Sequence, residues 1–282
     1  MTEYQKNIVA NVVSSTIKSV DLSAGEETLI FTTENNQIYK VGISLMDNKN
    51  VEARYDYLWH SFHSRPISGM DVCIKKNLIA TCSSDQTVKV WSYSPSLGFE
   101  LQINQWFGED AICVAFHPAG FQVVVGFYDR IRMMNVFDKS IQQYKDITVK
   151  QCREIVFSNG GHLFACMFLN LIHVYNFYTG CTPPHYVFKG HNGPIRSISW
   201  LQDDTGFVSS ALDSNIIMWT LNPKEEAKTN KVWNFQMANF DFTCLTVIKK
   251  EGQPGVEKNT PPSVFATCSD KKIHEICDGK LI

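Results

Sequence analysis

The sequence predicts an all-β protein assembled from similar units, and two observations carry this prediction. Residues 78–91 and 207–219 each have the pattern of a strand, a tight turn and a second strand with alternating apolar side chains. In both copies a tryptophan follows the turn aspartate by six positions, and a histidine precedes that aspartate by twenty-two. Two spacings that agree in two places indicate an internal repeat, and the period of a repeat identifies the architecture.

Weaker copies of this unit occupy the rest of the chain. The turns of the six copies are centred on Asn35, Asp85, Asp129, Asn170, Asp213 and Asp270. The longest interval between turns contains residues 249–262, whose polar composition with Pro and Gly predicts an inserted surface loop. Without this loop the period approaches the ~40–45 residues of a four-stranded β-propeller blade.

The chain is therefore predicted to form a single propeller domain, residues 1–282, because small sheets cover their faces by stacking around an axis. About six blades are expected, roughly at residues 16–44, 59–94, 101–137, 141–178, 185–221 and 231–277. Residues 280–282 are expected to begin the outermost strand of a further blade. The chain is thus predicted to form part of an incomplete seven-bladed ring. Such a ring would expose strand edges with which another polypeptide could pair.

The composition excludes several classes of function. The chain is 44% apolar and 19% charged, with a net charge of −2, which is typical of a globular protein and argues against a phosphate-binding surface for nucleic acid. The start of the sequence lacks the pattern of a secretory signal, and no run approaches the ~18 apolar residues of a membrane helix. These features favour a cytoplasmic protein that binds neither nucleic acid nor membrane.

No pattern indicates a cofactor, a metal or a small-molecule substrate. The nine cysteines include no C-x-x-C pair, so we expect reduced and mostly buried thiols. Cys181 and His185 lie close together in sequence, but two ligands do not make a metal site. His274 falls in a predicted strand without a second histidine at helical spacing, and the sequence contains no H-E-x-x-H, Walker-type or G-x-G-x-x-G motif.

The repeated polar residues have a catalytic and a structural interpretation. A serine, a histidine and an aspartate can form a nucleophilic triad, and His191, Ser209, Asp213 and Trp219 include all three types. At blade spacing, the same four residues can instead form a buried hydrogen-bond chain from the indole through the hydroxyl and the imidazole to the carboxylate.

The second copy decides between these interpretations. It can build an equivalent tetrad from His63, Thr81, Asp85 and Trp91. Catalysis needs one such constellation, whereas a scaffold uses it repeatedly. The sequence therefore predicts structural tetrads and no catalytic residue.

Lys189-Gly190-His191 and the spacing from turn aspartate to tryptophan resemble the WD-repeat family, with the signature dipeptide present as Trp91-Ser92 and Trp219-Thr220. Longer strings, at residues 63–71, 78–83, 157–165 and 189–193, resemble the second propeller of the cilia and flagella associated protein 57 family. The resemblance runs from about residue 19 to residue 276. Members of that family have a propeller before this region and a long coiled coil after it. This sequence has neither, which suggests a fragment or a short paralogue without the functions of the coiled coil.

The resemblance implies a non-catalytic component of the motile cilium axoneme that helps to dock or assemble inner dynein arms on doublet microtubules. The implied partners are inner-arm dynein, regulatory-complex subunits and tubulin. Two alternatives stay open: a general cytosolic adaptor, such as a substrate-recognition module of a ubiquitin ligase or a trafficking complex, and a hydrolase with a serine or a cryptic metal. The candidate partner-binding residues are Tyr55, Tyr57 and Trp59 in the segment 47–59, and Lys249, Lys250 and Lys258 in the inserted loop.

Overall fold

A computed structural model describes residues 16–25, 27–42, 55–58, 62–94, 98–179, 183–222, 230–237, 240–248 and 261–282. In these ranges the regular structure is entirely β, and the strands form six antiparallel sheets of four strands each. Within each sheet the strands pair in chain order, as expected for short connections between consecutive antiparallel strands. The prediction of an all-β propeller fold is confirmed. The described part of the chain contains no helix with the length and hydropathy of a membrane span.

The strands of the first three sheets have the following bounds. The first sheet contains β1 (Ile17–Leu22), β2 (Thr28–Thr33), β3 (Ile38–Gly42) and β4 (Tyr55–Tyr57). The second sheet contains β5 (Ile67–Val72), β6 (Leu78–Ser83), β7 (Thr87–Ser94) and β8 (Gly98–Trp106). The third sheet contains β9 (Cys113–Phe116), β10 (Gln122–Gly126), β11 (Ile131–Val136) and β12 (Ile141–Ile147).

The remaining three sheets follow the same order. The fourth sheet contains β13 (Cys152–Phe157), β14 (Leu163–Phe168), β15 (Leu171–Asn176) and β16 (Tyr186–Lys189). The fifth sheet contains β17 (Ile195–Trp200), β18 (Gly206–Ala211), β19 (Asn215–Thr220) and β20 (Lys231–Gln236). The sixth sheet contains β21 (Phe242–Ile248), β22 (Ser263–Cys268), β23 (Ile273–Cys277) and β24 (Lys280–Leu281).

The sheets differ from the predicted blades by one strand. The expected unit 185–221 joined β16 to β17, but Phe188 pairs with Ile172 in the fourth sheet. The expected unit 101–137 likewise joined β8 to β9, whereas β8 pairs with β7 in the second sheet. Residues 280–281 are the fourth strand of the sixth sheet, in which Leu281 pairs with Ile276, and do not begin a further blade. The reason is that each outer strand pairs with the strand before it, so a sequence repeat that starts at an outer strand crosses from one sheet to the next.

The core lies between consecutive sheets, from the second to the sixth. The first strands of neighbouring sheets pack together in series: β5 on β9, β9 on β13, β13 on β17, and β17 on β21. Four apolar clusters fill the interfaces from the second to the sixth sheet, and their side chains include Phe127, Phe164, Phe207 and Phe242. The first sheet has a small cluster of its own, formed by Phe31, Tyr39 and Val41.

Candidate functional site

The fifth sheet brings its four repeated polar residues into one hydrogen-bond chain. The indole Nε1 of Trp219 donates to the Ser209 hydroxyl at 2.8 Å, and the Ser209 hydroxyl lies 2.7 Å from Nε2 of His191. Nδ1 of His191 lies 3.2 Å from Oδ2 of Asp213. The backbone N–H of Asn192 donates to the same carboxylate at 2.8 Å. Strands β18 and β19 supply the serine and the tryptophan, the turn between them supplies the aspartate, and the loop before β17 supplies the histidine.

The second sheet contains the equivalent chain. Trp91 Nε1 donates to the Thr81 hydroxyl at 2.9 Å, and this hydroxyl lies 2.8 Å from His63 Nε2. His63 Nδ1 lies 3.0 Å from Asp85 Oδ2. The Thr87 hydroxyl donates to the other oxygen of Asp85 at 2.6 Å, a contact that the sequence analysis did not identify. Thr87 lies two positions after the turn aspartate, where a hydroxyl can bond back to it.

Electrostatics fix the protonation of both tetrads. Burial lowers the pKa of His63 and His191 below the usual histidine value, and the neighbouring carboxylates oppose this shift only in part. Burial acts to raise the pKa of Asp85 and Asp213, but the hydrogen bonds they accept outweigh it and hold each pKa below its usual range. At neutral pH each tetrad therefore contains a neutral imidazole that donates from Nδ1 to an ionised carboxylate.

This geometry disfavours nucleophilic catalysis. Ser209 is completely buried, and its hydroxyl accepts from the indole while it donates to the imidazole. A substrate therefore has no route to the oxygen, and the oxygen has no unused donor. The arrangement favours the structural interpretation, in which every buried polar group of the tetrad finds a partner.

Two carboxylates that the sequence analysis did not single out connect neighbouring sheets. Asp71 on β5 accepts a hydrogen bond from the backbone N–H of Phe116 on β9 at 2.7 Å. Asp204, in the turn after β17, accepts from the backbone N–H groups of Asn159 and Gly160 at 2.8 and 2.7 Å. Neither carboxylate lies in a local pattern that identifies a partner 45 residues away. These contacts were therefore beyond sequence reasoning.

The sixth sheet has a different arrangement around its turn aspartate. Asp270 Oδ2 lies 2.7 Å from Nε2 of His274, which is on β23 only four positions further along the chain. Ala266 and Ile276 occupy the positions of the hydroxyl and tryptophan residues of a tetrad. The ligand atoms of Cys268, Asp270 and His274 lie within 4.8 Å of one another, so this turn carries three residue types that can hold a metal ion.

An apolar cleft lies between the second sheet and the β2–β3 turn of the first sheet. It has a volume of about 670 Å³. Its lining includes Phe62, Arg65, Ile67, Met70, Trp91 and Phe99, together with His63 and Thr81 of the tetrad. The side chains of Ile67 and Met70, on the first strand of the second sheet, are 58% and 65% exposed. The first sheet touches the rim of the cleft through its turn, where the Gln37 amide donates to the Phe62 carbonyl at 2.7 Å.

The predicted partner-binding residues are only partly covered by the described residues. Tyr55 and Tyr57 lie on β4, opposite Val41 and Tyr39 of β3, so their backbone belongs to the first sheet. Trp59, Lys249, Lys250 and Lys258 lie outside the described residues. Their role in binding stays a prediction.

Comparisons with known proteins agree with the repeat. Residues 58–92 and 182–220 match the family described as "WD domain, G-beta repeat". Cilia- and flagella-associated protein 57 A of Tetrahymena thermophila is 38% identical over 245 residues, which cover 86% of this chain and 18% of that protein. Cilia- and flagella-associated protein 57 of Mus musculus is 39% identical over 283 residues, or 100% of this chain and 21% of that protein.

A more distant similarity concerns a second kind of protein. Echinoderm microtubule-associated protein-like 2 of Rattus norvegicus is 24% identical over 237 residues, which cover 81% of this chain and 34% of that protein. For the two relatives named first, cilia- and flagella-associated protein 57 A and cilia- and flagella-associated protein 57, the chain spans only about a fifth of their length. Their identity extends over most of the described sheets, well beyond the two segments that match the repeat family.

Proposed function

The chain is a WD-repeat protein similar to cilia- and flagella-associated protein 57, and from this premise we propose that it acts as a non-catalytic scaffold in the axoneme of cilia or flagella. Its proposed task is to help dock or assemble inner dynein arms on doublet microtubules. The observation that carries the proposal is the 38–39% identity to cilia- and flagella-associated proteins over 86–100% of the chain. The similarity to a microtubule-associated protein, at 24% identity, supports a cytoskeletal partner.

The cleft between the first and second sheets is the contact surface we propose for a partner. On the fifth sheet, Ile195 and Ile198 are 1% and 4% exposed because the fourth sheet packs against them. The equivalent positions on the second sheet are Ile67 and Met70, which face the cleft with more than half of their surface exposed. Methionine adapts its shape to different apolar partners, which suits a docking surface.

The chemistry of the cleft indicates one class of occupant. Its lining is apolar except for a few polar groups, and Arg65 is the charged side chain at its wall. The complementary occupant is a segment of another axonemal protein that presents apolar side chains beside a carboxylate. An arginine pairs well with a carboxylate because its guanidinium can donate two parallel hydrogen bonds.

The test is cross-linking mass spectrometry on axonemes isolated from cells that express the tagged protein. The proposal predicts recovery of the protein with the axonemes and cross-links to inner-arm dynein chains, regulatory-complex subunits or tubulin. Lys249, Lys250 and Lys258 are the lysines of the inserted loop whose links would test the predicted loop contacts. Recovery in the soluble fraction, with cross-links only to cytosolic proteins, would overturn the axonemal proposal in favour of the general adaptor.

A charge placed in the cleft tests the proposed surface separately. Met70→Glu should reduce recovery with axonemes, because a buried carboxylate without a partner opposes docking of an apolar segment. Ile273→Glu is the matched control, since Ile273 is 72% exposed on the sixth sheet. Equal recovery of both variants, at wild-type thermal stability, would exclude the cleft as the contact surface and leave the scaffold proposal intact.

A further inference from the structure

We propose that Cys268, Asp270 and His274 form a binding site for a zinc-like divalent transition metal at the turn between β22 and β23. The site is independent of the proposed docking cleft, which lies between the first and second sheets. Its three side chains are mostly buried: Cys268 is 6% exposed, and the side chains of Asp270 and His274 are 12% and 13% exposed.

The repeat gives the first argument, because this turn departs from the equivalent turns of the second and fifth sheets. Where the sixth sheet has Cys268, two positions before the aspartate, the other turns have Ser83 and Ala211. Where it has His274, four positions after the aspartate, they have Lys89 and Ile217. A thiol and an imidazole beside the turn carboxylate are therefore specific to the sixth sheet among these three and are not required by the blade.

The geometry gives the second argument. The ligand atoms of the three side chains already lie within 4.8 Å of one another. Bond lengths of ~2.0–2.3 Å to zinc place tetrahedral ligands about 3.3–3.7 Å apart, so side-chain movements of about 1 Å close the site. The Asp270 carboxylate also positions the His274 ring through the 2.7 Å contact between Oδ2 and Nε2. The hairpin holds the backbone, since the Lys271 N–H donates to the Cys268 carbonyl at 3.1 Å.

The charges balance when the metal binds. The divalent ion replaces the proton on Sγ of Cys268, and this proton is released to solvent. Binding also breaks the hydrogen bond between Nε2 of His274 and Asp270. The Nε2 proton leaves to solvent and Nδ1 takes one up, so the imidazole stays neutral while Nε2 binds the ion. The complex of M²⁺, one thiolate and one carboxylate then has no net charge, which is compatible with a mostly buried site.

Two neighbouring lysines oppose the ion only weakly. Lys271 and Lys272 lie in the same turn, and both side chains are exposed. Their ammonium groups are therefore screened by water and salt. Thiolate, imidazole and carboxylate together suit zinc better than calcium or magnesium, which prefer oxygen ligands alone.

The test is a titration of the reduced, metal-free protein with Co²⁺, whose thiolate complexes absorb in the near ultraviolet. The proposal predicts a thiolate-to-cobalt charge-transfer band that zinc abolishes by competition. Absence of the band in the wild-type protein would overturn the proposal without any variant.

Variants assign the ligands. Cys268→Ser should abolish the band, and Asp270→Asn or His274→Gln should weaken binding at least ~10-fold, as loss of even an outer partner often does. Cys277→Ser, on β23, and Cys181→Ser, beside His185 in the sequence, are the matched controls and should leave the titration unchanged. A band that survives in Cys268→Ser, or is lost in a control, would contradict the assignment.

A measurement on the wild-type protein guards against a variant that does not fold. Zinc should slow alkylation of Cys268 relative to Cys277, as followed by peptide mass mapping. Equal alkylation rates with and without zinc would contradict the proposed site even if cobalt bound elsewhere on the protein.

Discussion

The second and fifth sheets have the same internal hydrogen-bond network but different neighbours. The hydroxyl of the network lies 2.8 Å from the histidine in the second sheet and 2.7 Å in the fifth. The first strands of the two sheets differ in burial: Val72 of β5 is 45% exposed, whereas Trp200 at the equivalent position of β17 is 6% exposed. The comparison indicates that residues within one sheet determine the network, whereas the adjacent sheet determines burial.

The largest expected difference in stability is between equivalent variants on β17 and β5, the first strands of the fifth and second sheets. Ile198→Ala should lower the free energy of unfolding by about 2–5 kcal/mol, because it leaves a cavity between the fourth and fifth sheets. Met70→Ala, at the equivalent but exposed position, should change it by less than about 0.5 kcal/mol. Chemical denaturation of both variants measures the difference. Equal losses would show that the first strand of the second sheet is covered in solution, as that of the fifth sheet is.

The turn aspartates should behave alike, because each network lies within its own sheet and the loop before it. Asp213→Asn and Asp85→Asn should each lower the free energy of unfolding by about 1–3 kcal/mol, through the loss of charge-assisted bonds to a buried histidine. Thermal unfolding of both variants is the measurement. If Asp213→Asn kept its stability but lost a hydrolase activity that the wild type has, the structural interpretation would be contradicted.

Acidification should destabilise both networks through their histidines. Burial lowers the folded-state pKa of His63 and His191, so below the usual value of about 6.5 the unfolded chain binds protons that the folded chain does not. The stability from these groups is complete above that pH and is lost as the pH falls through the folded pKa. Because the two histidines lie in separate sheets, their contributions should add.

The measurement is the free energy of unfolding between pH 7.5 and 5 for the wild type and for the double variant His63→Gln/His191→Gln. The double variant should be less stable at pH 7.5 and should depend less on pH. An unchanged slope in the double variant would assign the acid sensitivity to other groups. The lowered pKa values of Asp85 and Asp213 act in a separate, more acidic range, because their contribution is lost only below the usual carboxyl pKa.

A smaller difference in stability is expected between variants of the two tetrad tryptophans, because the sheet next to each tetrad controls how far water reaches it. Trp219 is 3% exposed, whereas Trp91 lies at the wall of the cleft. Trp219→Phe should lower the free energy of unfolding by about 1–2 kcal/mol more than Trp91→Phe does. The Ser209 hydroxyl loses its indole donor at a site without water, whereas the Thr81 hydroxyl loses its donor beside the cleft. Equal effects in chemical denaturation would show that both networks are equally dry.

Much of the fold could be predicted from the sequence because the repeat consists of short-range patterns within single blades. The turn aspartate, the alternation in β7 and β19, and the spacing to His63 and His191 are properties of single blades, and they predicted which residues lie close together. The tetrad geometry in the structure agrees with that arrangement.

Three features were not revealed by the sequence: the pairing of the outer strands, a local contact in the sixth sheet and the cleft beside the second sheet. The offset of one strand arises because β8 and β16 pair with the strand before them. The pairing of Asp270 with His274 replaces the distant histidine with a local one, which the blade pattern did not anticipate. The cleft depends on how the first sheet contacts the second, a long-range relation with no signature in either sheet.

Oxidative footprinting of methionines tests most directly the central claim that the second sheet offers an open face for an axonemal partner. Methionine oxidation requires access of the oxidant to the sulfur, and Met70 is 65% exposed whereas Met133 and Met167 are each 1% exposed. We expect Met70 to be oxidised much faster than Met133 and Met167 in the isolated protein and to become protected in intact axonemes. An open face on the second sheet would be contradicted by either of two results. Met70 could be oxidised as slowly as the buried methionines in the isolated protein, or it could be oxidised as fast in axonemes as in the isolated protein.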